Sequence, residues 1–130
     1  MLPFSIELRP GLPLTEQIVY AVKKAVVSGQ MRPGDTFPSV RQLSQDLRIN
    51  PNTAHKVIAA LVQEKVLITT PAVGSLVAAP EDGNRKERAA LLGLELERAV
   101  VEAKRLGLTL DEVRDGLEIH WKKLSPPTQK

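Results

Sequence analysis

Two helix-start signatures stand so close together that the chain between them has room for one short helix and one turn. Ser39-Val40-Arg41-Gln42 is a capping box, with Ser at the N-cap and Gln at N3, where side chains satisfy N–H groups that a first helical turn leaves open. Asn50-Pro51 is a second start, since Asn is a strong N-cap and the fixed φ of Pro suits the first helical position. Val40, Leu43 and Leu47 form the inner stripe of the first helix, which must end near Arg48. Ala54, Val57, Ile58 and Leu61 give the second a buried face. Two helices joined this tightly make a helix-turn-helix candidate.

Flanking segments complete the unit. From Pro13 to about Ser28, apolar Leu14, Ile18, Ala21, Val22, Ala25 and Val26 recur at helical spacing, and Gly29 follows as a helix-terminating residue should. Before it, Phe4 to Arg9 alternates apolar and polar, which predicts a short half-buried strand ended by Pro10-Gly11. Gln30 to Thr36 reads as a turn into a short extended piece near Phe37. After the helix pair, Val66–Thr70 and Ser75–Ala78 are rich in β-branched and aliphatic residues around a small-residue tip, Pro71-Ala72-Val73-Gly74, and predict a hairpin. The expected class is therefore mainly α with a small β-hairpin wing: a winged helix-turn-helix over residues 1–79, followed by an α-helical hairpin.

Residues 80–83 form a short linker of Pro, Gly and acids. Asn84 with Glu87 suits the start of a long helix to about Arg105, in which Ala89, Leu92, Leu96, Ala99, Ala103 and Leu106 are spaced as an a/d-like seam. Gly107 stops it. Thr109 and Glu112 form another capping box, and Leu110, Val113, Leu117, Trp121 and Leu124 stripe a final helix before a frayed tail of residues 125–130. A two-helix hairpin of this size cannot bury two apolar stripes alone. Residues 84–130 are accordingly expected to pair with a second copy through Leu92, Leu96, Ala99, Ala103, Leu117 and Trp121.

Charge is divided along the same boundary. The formal net charge is +3. Residues 1–79 hold eight basic and five acidic side chains, whereas residues 80–130 hold ten of each. The whole excess lies in the first part, as suits contact with a polyanion. Other classes lose support. The absence of Cys excludes disulfides, thiolate metal sites and a Cys nucleophile, and two His far apart make a His-based metal cluster improbable. No run is apolar enough to span a membrane, and no basic start with an apolar stretch marks a secretory signal, so a cytoplasmic protein is expected.

With the second helix's apolar stripe turned inward, Asn52, Thr53, His55, Lys56 and Ala59 must face outward. The first half of such a helix is what enters a major groove, where Asn bonds adenine bidentately and Thr offers a methyl or a hydroxyl. Lys56 and His55 supply donors or charge for phosphate or base edges. Arg41, outward at the start of the preceding helix, reaches phosphate or guanine beside the groove. Asn50 is first a cap, and any solvated helix face is polar, so the pattern by itself leaves a protein-binding adaptor open.

Longer stretches carry a resemblance. Leu12-Pro13-Leu14-Thr15-Glu16-Gln17-Ile18, the run from Gly29 through Pro33-Gly34-Asp35 and Pro38-Ser39-Val40-Arg41-Gln42-Leu43, and Asn50-Pro51-Asn52-Thr53 resemble the GntR family of bacterial transcription regulators over residues 12–78. The short C-terminal part looks like that of its YtrA subfamily. The resemblance implies a homodimer on a palindromic double-stranded DNA operator, usually as a repressor, and often beside transporter genes. It implies DNA contact by Arg41, Asn52, Thr53, His55 and the wing glycine Gly74, to which the cap residue Asn50 and the outward cation Lys56 are added as expected DNA-binding residues from their places on the helix. This chain departs from the pattern at Lys65, where glycine precedes the first wing strand, at Thr70-Pro71, where a basic pair is usual, and at Ala72, the first tip glycine. A wing short of charge is expected to contribute less to DNA affinity.

The remaining polar clusters have structural readings. Asp111, Glu112 and Asp115 sit where a helix dipole favours carboxylates. Trp121 belongs to the inner stripe, and Glu95, Glu97, Arg98, Glu102 and Arg105 are spaced as surface ion pairs. No phosphate loop, Ser/His/acid set or H-E-x-x-H is present, so neither enzymatic activity nor a cofactor or metal is expected. An unknown small-molecule effector, held between the C-terminal helices, stays open.

Overall fold

Three caps set the helix starts, and each works within three residues. The structure, a computed structural model, describes residues 2–79 and 85–126. In helix α2, Val40–Leu47, the Ser39 hydroxyl accepts from the Gln42 N–H at 3.2 Å. In α3, Pro51–Gln63, the Asn50 Oδ1 accepts from the Asn52 N–H at 2.7 Å, with Pro51 at the first helical position. The turn between them is closed by Arg48 in the left-handed region, at φ 55 and ψ 50, with its N–H donating to the Gln45 carbonyl and the Ile49 N–H donating to the Ser44 carbonyl.

Helix α1, Leu14–Val27, starts after Pro13 and ends at Ser28, followed by Gly29 at φ 85. Helix α3 packs against α1, α2 and the first strand, so the candidate reader is also the centre of the domain. Ile18 and Val22 of α1, Leu43 of α2, and Ala54, Val57 and Leu61 of α3 are fully buried together. Strands β1, Leu67–Thr70, and β2, Gly74–Val77, form an antiparallel pair in which Leu67 faces Val77 and Thr70 faces Gly74. Thr36 adds an isolated bridge to Leu76, and the Phe37 N–H donates to the Ser75 carbonyl at 2.8 Å. The expected extended piece near Phe37 thus leans on the hairpin's edge.

The strand expected over Phe4–Arg9 does not form. Its alternation survives, with Phe4 buried and Ser5 and Glu7 exposed, but no sheet edge among the described residues pairs with it. Phe4 instead stacks on Phe37, ring centroids 5.9 Å apart. The Gln17 side chain ties the segment down: its Oε1 accepts from the Arg9 N–H at 2.8 Å and its Nε2 donates to the Arg9 and Leu12 carbonyls. Alternation reported one-sided burial correctly, but burial came from side-chain packing without a β ladder.

Residues 81–123 make a second unit. The linker at 80–83, the Asn84 cap and the tail from 127 lie outside the described residues. Helix α4, Arg85–Ala90, and helix α5, Leu96–Arg105, are joined by a π-turn, Leu91–Glu95, in which the Leu96 N–H donates to the Leu91 carbonyl. This corrects the expected seam. One extra residue in the turn rotates everything before it by about 100° relative to an unbroken α-helix. Ala89 is thereby carried off the line of Leu96, and Leu91 is stacked one turn before Leu96 in its place. Gly107 ends α5 at φ 78. Thr109 and Glu112 complete their capping box in both directions, at 2.8 Å and 3.1 Å, ahead of α6, Leu110–Lys123.

Candidate nucleic-acid interface

The candidate reading face is built by the buried stripe beneath it. Because Ala54, Val57 and Leu61 are fully buried, the 3.6-residue period turns Asn52, His55, Lys56 and Ala59 outward, and all four are exposed. Thr53 is half-buried, so less of it than expected is open to a ligand. Arg41 is exposed in the first turn of α2, with no ion pair among the described residues. Asn50 is exposed as well, but its Oδ1 is engaged by the cap, which leaves the amide NH2 as its outward-facing donor.

Other charges are held away from this face. Lys23 of α1 pairs with Glu64 at the C-terminal end of α3. Lys24 lies 5.7 Å from the centroid of the Tyr20 ring on α1. The cations carried by α2, its following turn and α3 are Arg41, Arg48 and Lys56, against the single acid Asp46.

The wing tip is compact and uncharged. Val73 N–H donates back to the Thr70 carbonyl at 3.2 Å, with Pro71 and Ala72 at the two central positions of the turn. Ala72 has φ 68, the positive value that a type II turn places at its third residue and that glycine normally supplies. Gly74 follows at φ 97, with no atom within 4 Å of a Cβ built there, so backbone conformation rather than crowding requires glycine. Ile68, Pro71 and Val73 are exposed around it. The wing therefore offers apolar surface and backbone donors, and no cation between Leu67 and Val77.

Arg48, which in the sequence marked only the end of the first helix, is a further exposed cation next to the start of α3, in a turn short enough to demand a left-handed residue.

This arrangement matches a known pattern. Residues 14–77 fit the family model described as bacterial regulatory proteins, gntR family. The chain belongs to the gntR family. It is also similar over most of its length to the HTH-type transcriptional repressor YtrA of Bacillus subtilis, 27% identical across 87% of this chain and 88% of that protein. Among solved structures, a protein described as a transcriptional antiterminator from Listeria monocytogenes EGD-e superposes with a TM-score of 0.82, at 27% identity, covering 93% of this chain and 91% of that one. YtrA from Sulfolobus acidocaldarius, a GntR-family transcription factor, gives a TM-score of 0.61 at 25% identity over 75% of this chain and 96% of its own. The gntR-family chain is thus a DNA-binding transcription regulator with a winged helix, not an enzyme. Among the described residues no helix is long and apolar enough to cross a membrane, and no group of His or carboxylates could hold a metal ion.

The second unit shows the opposite balance from the first. Leu91, Leu92, Leu106, Leu110, Ile119 and Trp121 are each at least 60% exposed. Of the residues expected to meet a second copy, Leu92, Leu96, Ala99, Leu117 and Trp121 are exposed. Ala103 is the exception: it is 9% exposed, and its carbonyl accepts from the Leu108 N–H that closes the helix end. Its side chain belongs to the interior of its own chain. Glu95 and Glu102 pair with Arg98 and Arg105, the surface pairs their spacing predicts, and Asp111, expected only as a carboxylate in the first turn of α6, also pairs with Arg114.

Proposed function

We propose that the protein is a cytoplasmic repressor that binds a palindromic operator as a homodimer. Helix α3 of each protomer enters a major groove, and the two grooves lie one helical turn apart, roughly 34 Å. The observation that carries this is the exposed set Arg41, Asn52, His55 and Lys56, gathered at the starts of two capped helices above a single buried stripe. Asn52 reads a base edge, Thr53 offers its remaining exposed surface to a base or phosphate, and Arg41, His55 and Lys56 hold phosphate or guanine. Gly74 lets the wing backbone approach the duplex. Asn50 serves the site chiefly by capping α3.

The dimer is proposed to form through Leu92, Leu96, Ala99, Leu117 and Trp121 of the second unit, whose apolar side chains are exposed in one protomer. Water is a poor neighbour for so many exposed apolar side chains, and a second copy covers them in a self-complementary way. Repression is the activity named for the Bacillus subtilis relative, which is similar over nearly its full length. Control of a transporter operon remains part of the proposal, tested by finding the operator beside such genes.

The test is selection of duplexes from a randomised library by the full chain. A recovered inverted repeat with half-site centres about one turn apart supports the proposal. Arg41→Ala with Asn52→Ala should then abolish binding while sedimentation still reports a dimer. Retained affinity would remove the reading face from this set of residues.

A further inference from the structure

The two turns that bracket α3 share a costly backbone conformation. Arg48 before the helix lies at φ 55, and Lys65 after it lies at φ 64. A side chain strains the backbone there, whereas glycine adopts the conformation freely. Neither cation is compensated inside the fold: both are exposed, and neither has an ion pair or side-chain hydrogen bond among the described residues.

Their positions differ. Arg48 precedes the N-cap Asn50 by two residues, so the two Cα atoms are within about 7 Å. Lys65 lies beyond the other end of a 13-residue helix, about 20 Å along its axis from Asn50. Asn52, His55 and Lys56 lie at the Arg48 end of α3, and Arg41 lies in the first turn of α2, the helix that Arg48 closes. The wing tip, which could otherwise carry charge to the duplex, carries none.

We propose that Arg48 is a DNA-backbone contact: held at the turn from α2 into α3, its guanidinium clamps a phosphate flanking the groove that α3 enters. The proposal rests on the DNA-reading assignment made above. A guanidinium suits the task because its planar fork of donors matches two phosphate oxygens at once. Such a contact fixes the register of a reading helix without reading sequence itself. Arg48 supplies at the helix-turn-helix a charge that the wing lacks. Nothing in the structure explains the strained Lys65, which makes it the internal control.

Glycine substitution separates the two positions, since it relieves strain at both and removes one charge from each. Arg48→Gly and Lys65→Gly full-length chains are compared with wild type by thermal unfolding and by binding to a duplex that the wild-type protein selects from a randomised library. Both variants are expected to melt at higher temperature. Arg48→Gly lowers the slope of log affinity against log salt by about 0.9 for each protomer bound, and Lys65→Gly leaves it unchanged. With two protomers on the duplex, the affinity lost between 50 and 200 mM salt becomes about twelvefold smaller for Arg48→Gly. An unchanged slope in Arg48→Gly, or an equal fall in both variants, overturns the proposal while DNA binding itself stands. A wild-type chain that selects no duplex overturns the DNA-reading assignment and this proposal together.

Discussion

Asn50 illustrates how one amide serves fold and site at once. Its Oδ1 closes the first turn of α3, and that turn aims Asn52 and Lys56. Asn50→Ala should cost about 1 kcal/mol of stability. Asn50→Ser, whose hydroxyl accepts the same N–H, should recover most of that in chemical denaturation and keep DNA affinity within about twofold, a difference of about 0.4 kcal/mol. Lost affinity at restored stability would instead assign the amide NH2 to the DNA. Ala72 poses a simpler question. Its φ of 68 strains a β-carbon for no contact the tip needs, so Ala72→Gly should raise stability by about 1 kcal/mol with unchanged affinity. Thermal unfolding beside a binding titration checks both halves.

At the scale of elements, what could be read from sequence depended on how far each determinant reaches. The caps at Ser39, Asn50 and Thr109 were legible because each bond spans three residues or fewer. The buried faces of α1 and α3 were legible because helical periodicity is local. The strand expected at Phe4–Arg9 was not, because a strand needs a partner edge and alternation says nothing about where one is. The π-turn escaped because counting threes and fours presumes 3.6 residues per turn throughout. Gly93 lies within that turn, at ordinary φ and with nothing within 4 Å of an added Cβ. Gly93→Ala should therefore stabilise the second unit by about 0.5–1 kcal/mol through lower backbone entropy in the unfolded chain. A loss of stability in calorimetry would mean that a neighbour absent from a single chain packs there. The exposed polar face of α3 was legible by elimination, once the buried stripe had claimed its side of the helix; the left-handed turn at Arg48 was not, since it is fixed by the closure of α2 rather than by any pattern in its own neighbourhood.

At the scale of the whole molecule, charge and apolar surface are divided unevenly between the two units. The excess of three positive charges lies with the winged helix, and most of the exposed large apolar side chains lie between Leu91 and Trp121, with Leu12, Val27, Ile68 and Val73 exposed on the winged helix. A single winged helix with an uncharged wing has few phosphate contacts, so each protomer alone should bind DNA weakly and with a shallow dependence on salt. The proposed pairing would change the energetics without adding a contact to either reader. In such a dimer, once one protomer is docked, its tethered copy would meet the second half-site at a high effective concentration, which raises affinity by about 10²–10⁴. Leu96 is exposed on α5 and lies outside the core of the winged helix, so Leu96→Glu should split the dimer and leave that core folded. Sedimentation equilibrium should report monomers, circular dichroism should retain most of the helical signal, and affinity for the full palindrome should fall towards that for an isolated half-site. A variant that stays dimeric would place the interface elsewhere on the chain. A monomer that still binds the palindrome as tightly as wild type would show that a single winged helix supplies the affinity, and the apolar second unit would then need another partner to explain it.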